Sequence, residues 1–96
     1  MPQYHYLRLS LSPPTQDIFR IRKVLETALT QSFGITAAGT QLDVLWLADT
    51  GEEVIIRVQD DDAPRVLAAL VATNDLPRMS LVQESPFLPS LVPNVL

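Results

Sequence analysis

The sequence predicts an α+β domain, a four-stranded antiparallel sheet with two helices on one face. Three observations predict it. Apolar residues alternate in "YHYLRLSL" (residues 4–11), the period of a half-buried strand. They recur at helical spacing between residues 15 and 33 and again between 63 and 74. Between those two stretches, "QLDVLWLADTGEEVIIRVQ" reads as two strands about a tight turn. With a last strand in "RMSLVQE", the order is β-α-β-β-α-β, which right-handed crossovers fold into a ferredoxin-like split βαβ with the second sheet face open.

In the first strand Leu7, Leu9 and Leu11 point toward the helices, and Tyr4, Tyr6, Arg8 and Ser10 point away. Pro13-Pro14 ends it, because proline has no N–H to give a ladder. The first helix is expected over 15–33, with Thr15 or Asp17 as its cap, Ile18, Ile21, Leu25, Ala28 and Leu29 as its apolar stripe, and Gly34 as its stop. Arg20, Lys23, Thr27 and Thr30 fall on the solvated side, with Phe19 near them. "ITAAGT" is a loop. Asp49-Thr50-Gly51-Glu52 forms the hairpin turn. In a flush register Leu45, Leu47, Val54 and Ile56 then share one face, and Val44, Trp46, Ile55 and Arg57 the other. Asp60-Asp61-Asp62 should cap the second helix, whose stripe is Val66, Leu67, Leu70 and Val71. The domain is expected to span residues 1–85. Residues 86–96, with prolines at 86, 89 and 93, read as an extended apolar tail.

Composition narrows the function. The chain has 96 residues, 47% hydrophobic and 19% charged, enough for one core and for a surface apolar enough to want covering. No stretch is long and apolar enough to span a membrane, and no cleavable leader stands at the start. The absence of cysteine excludes disulfide and zinc-finger frameworks. Eleven carboxylates against seven basic groups leave a net charge of −4, poorly suited to holding RNA unaided.

Catalytic patterns are thin. The single histidine, His5, has no serine elbow or cysteine to activate and reads as structural. Three consecutive aspartates do not aim at one cation, so neither a metal nor another cofactor is expected. An RNA-recognition module would need aromatics on its third strand, and "EEVIIRVQ" has none. The outward set Tyr4, Tyr6, Arg8, Val44, Trp46, Ile55 and Arg57 is instead rich in residues of protein–protein hot spots, and is expected to bind a partner unless the tail folds back over it. Arg20, Arg22 and Lys23 on the first helix are the candidate RNA contacts.

Four segments in order, "YHYLRLSL", "QSFGITAAGTQLDVL", "EEVIIRV" and "LVQESPFL", resemble the small fourteen-kilodalton protein subunit of eukaryotic ribonuclease P and RNase MRP or its fungal counterpart, related to the Pop-five subunit. The resemblance implies a ferredoxin-like, non-catalytic subunit of an RNA-based nuclear and nucleolar enzyme that matures precursor tRNA 5′ ends and, in its MRP form, processes precursor ribosomal RNA. It implies a heterodimer with a Pop-five-like subunit, contact with a subunit of the Rpp-one or thirty-kilodalton type, and mainly indirect contact with the RNA. Two rivals share the fold order. A ligand-sensing module would dimerise through its sheet, which leaves a homodimer open for the isolated chain. An acylphosphatase-like enzyme would want an arginine in the loop after the first strand, and "SPPTQ" supplies none.

Overall fold

Alternation in the first strand decides where the core forms. In a computed structural model describing residues 3–33 and 42–88, β1 (Tyr4–Ser12) buries Leu7, Leu9 and Leu11 on one side and leaves Tyr4, Tyr6, Arg8 and Ser10 half-buried on the other. The further elements are α1 (Ile18–Phe33), β2 (Leu42–Leu47), β3 (Glu53–Gln59), α2 (Ala63–Ala72) and β4 (Arg78–Ser85). The sheet is antiparallel throughout in the order β2-β3-β1-β4. This is the ferredoxin-like arrangement expected, with both helices on the leucine side. Residues 1–2, 34–41 and 89–96 lie outside the described residues, and with them Gly34, "ITAAGT" and all but the first three residues of the tail expected over 86–96.

The core joins Leu7, Leu9 and Leu11 to Val54, Ile56 and Val58 of β3, Met79 of β4 and the inner faces of both helices. α1 contributes Ile21, Val24, Leu25, Ala28 and Leu29. Val24 thus replaces Ile18 in the expected stripe, and Ile18 is 44% exposed. In α2, Ala63, Val66, Ala69 and Leu70 are buried and Leu67 partly so, while Val71 is 82% exposed. The two differences have separate causes. Ile18 shares the angle of the buried stripe but is the first residue of α1, whereas Val71 lies past Leu67, outside the apolar arc that α2 turns to the sheet.

Helix starts follow local chemistry. The amide of Arg20 donates to Asp17 Oδ1 (3.1 Å) and the amide of Asp17 to Thr15 Oγ1 (3.1 Å), so Asp17 caps α1 and Thr15 fixes the turn before it. α2 starts otherwise than expected. Asp60–Asp62 forms a single 3-10 turn that runs straight into the helix, and no aspartate side chain caps it. Asp62 already has helical backbone angles, so its carboxylate turns to Arg65 (3.5 Å) instead.

The hairpin turn is where expected. Ala48 donates to Glu53 O (2.9 Å), and Gly51 donates to Ala48 O (2.9 Å) with φ +74°. A Cβ at Gly51 would lie 2.8–2.9 Å from the Thr15 backbone, which itself donates to Gly51 O (2.9 Å). Only glycine meets both demands.

The register of β2 departs from the flush one. Trp46 pairs with Ile55 and Leu47 with Val54, as expected, but Val44 pairs with Ile56 and Asp43 with Arg57. Leu45 is the extra residue of a β-bulge and is 39% exposed. Val44 therefore packs against the helix-side core, correcting its expected place on the outer face.

Candidate partner-binding face

The face turned away from the helices is built in rows across the strands. Trp46, Ile55, Arg8 and Gln83 form one row through β2, β3, β1 and β4, and Asp43, Arg57, Tyr6 and Ser85 form the next. Tyr4 opposes Gln59 at the end of the face. Ile55 is fully buried although it points away from the helix-side core, with Arg8 and Trp46 as its cross-strand neighbours. Six of the seven expected partner-binding residues thus share one surface: Tyr4, Tyr6, Arg8, Trp46, Ile55 and Arg57. Val44 alone leaves the set.

Each arginine on this face is held by a carboxylate of the same face. Arg8 Nη2 and Nε donate to Glu53 Oε1 at 2.5 and 3.0 Å. Arg57 Nη2 and Nε donate to Asp43 Oδ2 at 2.8 and 3.2 Å. The hydrogen bond it donates to Asp43 raises the Arg57 pKa above its already high ordinary value, so this group stays cationic wherever the fold persists. Its guanidinium also lies over the Tyr4 ring, 4.5 Å from the centroid. Two cations matched by two carboxylates make the face electrically balanced. An aromatic, arginine-bearing and charge-balanced sheet has the composition of protein–protein interfaces, and it offers phosphate no net attraction.

Asp43 and Glu53 escaped the sequence reading. Parity alone places Glu53 with Ile55 and Arg57 on β3. Asp43 reaches Arg57 only because of the Leu45 bulge, since the flush register sets it opposite Val58.

His5 lies on the leucine side, paired with Val58. Its Nε2 donates to Glu84 Oε1 (2.8 Å), and Asp60 Oδ1 sits 3.6 Å from Nδ1. It links the start of β1, the end of β4 and the turn before α2. Among the described residues no cluster of three or more metal-ligating side chains forms, and no helix is long and apolar enough to cross a membrane.

Arg20, Arg22 and Lys23 are all exposed on α1. At about 100° per residue, Lys23 sits opposite the buried stripe, with Arg20 and Arg22 on its two flanks. Arg20 Nε is committed to Leu76 O (2.9 Å). The three cations do not converge on a point.

A family model described as "Ribonucleases P/MRP protein subunit Pop8" matches residues 3–72, from the start of β1 to the end of α2. A chain of the cryo-EM structure of yeast ribonuclease MRP is similar in fold, with a TM-score of 0.72 and 25% identity over 92% of this chain and 77% of that one. No curated protein sequence matches significantly.

Proposed function

The chain belongs to the Pop8 family of ribonuclease P/MRP protein subunits, and from that premise we propose that it is a non-catalytic subunit of the particle which pairs with a Pop-five-like protein through the outer face of its sheet. Its task is assembly. The RNA component cuts, and the protein supports maturation of precursor tRNA 5′ ends and processing of precursor ribosomal RNA, work that belongs to the nucleus and nucleolus. A subunit of the Rpp-one or thirty-kilodalton type is a further neighbour.

The observation that carries this reading is the balanced outer face. Arg8 and Arg57 are each neutralised by Glu53 and Asp43 beside two tyrosines and a tryptophan. Such a surface gains by excluding water against another protein, because its charges need no new partner. Contact with RNA is mainly indirect in this reading, and what direct contact exists falls to Arg20, Arg22 and Lys23.

Co-expression of this chain with the Pop-five-like subunit of its own particle tests the pairing. The two are expected to co-elute from size exclusion and to keep each other soluble. Separate elution with no gain in solubility for either overturns the pairing.

A further inference from the structure

A second surface lies at the edge of the sheet. β4 pairs with β1 alone, and no strand among the described residues lies beyond it. Hydrogen-bond directions alternate along an antiparallel strand, so one bond fixes the rest. Leu11 N donates to Glu52 O (2.7 Å), which turns the main-chain groups of Leu7, Leu9 and Leu11 toward β3 and those of Ser10 and Ser12 toward β4. Ser10 opposes Ser80 and Ser12 opposes Arg78, so these two residues of β4 spend their N–H and C=O groups on β1. Met79 and Leu81, between and after them, turn theirs outward from the sheet.

A groove of about 350 Å³ runs along this edge, walled by Leu67, Leu70 and Val71 of α2 and by the four consecutive residues from Arg78 to Leu81. Successive side chains of a strand point to opposite faces. Four in a row can line one groove only where the backbone itself forms the wall. The apolar surroundings are exposed: Val71 is 82%, Leu81 42% and Val82 49% accessible. At one end Arg78 is exposed and makes no ion pair among the described residues, while at the other Glu84 is engaged by His5.

We propose that this edge receives an extended, mainly apolar segment of another protein subunit, which pairs with the outward main-chain groups of Met79 and Leu81 as a fifth strand and sets a carboxylate beside Arg78. Backbone bonds supply the docking, the α2 groove takes alternate apolar side chains, and Arg78 selects the acidic end. A second copy of this chain fits poorly. The ladder of β4 is regular only from Arg78 to Leu81, because a bulge follows before Gln83. Twofold antiparallel pairing must match outward groups with outward groups, so Met79 faces Leu81, and each Arg78 then faces the apolar Val82 of the other copy and both cations stay unmatched.

The inference rests on the reading of the chain as a particle subunit. Residue-resolved hydrogen exchange on the full chain, alone and within the assembled ribonuclease P/MRP particle, tests it. The amides of Met79 and Leu81 are expected to exchange fast in the free chain and to slow at least a hundredfold on assembly, whereas those of Arg78 and Ser80 are already slow. Leu81→Asp and Arg78→Glu should each lower incorporation about tenfold while the isolated variants melt as the parent does. Incorporation with Met79 and Leu81 still exchanging fast overturns the edge proposal and spares the proposed function. Failure of the parent chain to incorporate overturns both. Slowing that appears in the isolated chain as its concentration rises, with a dimer on size exclusion, replaces the partner with a second copy.

Discussion

Two neighbouring residues of β2 carry the sharpest test of the partner face. Val44 and Trp46 share parity in the sequence, and a flush hairpin puts both outside. The bulge at Leu45 sends Val44 to the core and keeps Trp46 on the outer face opposite Ile55. Their alanine variants should therefore fail in opposite ways. Val44→Ala loses two methyl groups from a partly buried site, and about 1 kcal/mol of stability in urea unfolding, with pairing unchanged. Trp46→Ala should leave the urea midpoint in place and weaken pairing with the Pop-five-like subunit by about 2 kcal/mol, roughly thirtyfold in Kd by titration calorimetry. Loss of stability at Trp46 with pairing intact would remove it from the interface. The face was largely legible from alternation because period two is a strict rule inside a regular strand. Val44 and Asp43 were not, since a bulge is one inserted residue with no compositional mark and it resets parity on one side only.

At the scale of elements, what was readable depended on whether the cause is local. The order of six elements, the hairpin turn and the Asp17 cap all depend on a few adjacent residues, and all stand in the structure. The acidic run before α2 obeyed a different constraint. There the amide of Asp60 donates to Gln3 O (2.8 Å), drawing the chain end of β3 against the start of β1, and the tight turn that follows enters α2 already helical. A long-range tie thus overrode the local capping rule. The two helix starts should respond unequally to mutation. Asp17→Ala frees the Arg20 amide and is expected to cost about 1 kcal/mol, whereas Asp62→Ala removes only the partly exposed pair with Arg65 and should cost under about 0.5 kcal/mol. Comparable urea shifts for both would mean that Asp62 caps α2 in solution after all.

For the whole molecule, the distribution of charge matters more than its sum. The net charge of −4 already disfavours autonomous RNA binding. The structure adds where the cations are spent. Arg8 and Arg57 are matched on the outer face, Arg65 pairs with Asp62, and Arg20 is hydrogen-bonded to Leu76 O. For RNA this leaves Arg20, Arg22 and Lys23 of α1, three cations spread round the helix, and the exposed Arg78 on β4. Each phosphate neutralised on a single strand contributes about 0.7 to the slope of log K against log salt, so with these four cations this chain alone should show a slope no steeper than about −3. Fluorescence anisotropy with a single-stranded RNA across a salt series measures it. Pairing with the protein partner should respond less still, because the charges of the outer face are matched within the chain before the partner arrives and have little counterion release to contribute. A steep RNA slope with weak salt dependence of pairing would move RNA contact from the assembled particle to this subunit itself. A steep slope for pairing would mean that the partner breaks the Arg57–Asp43 and Arg8–Glu53 pairs to make its own.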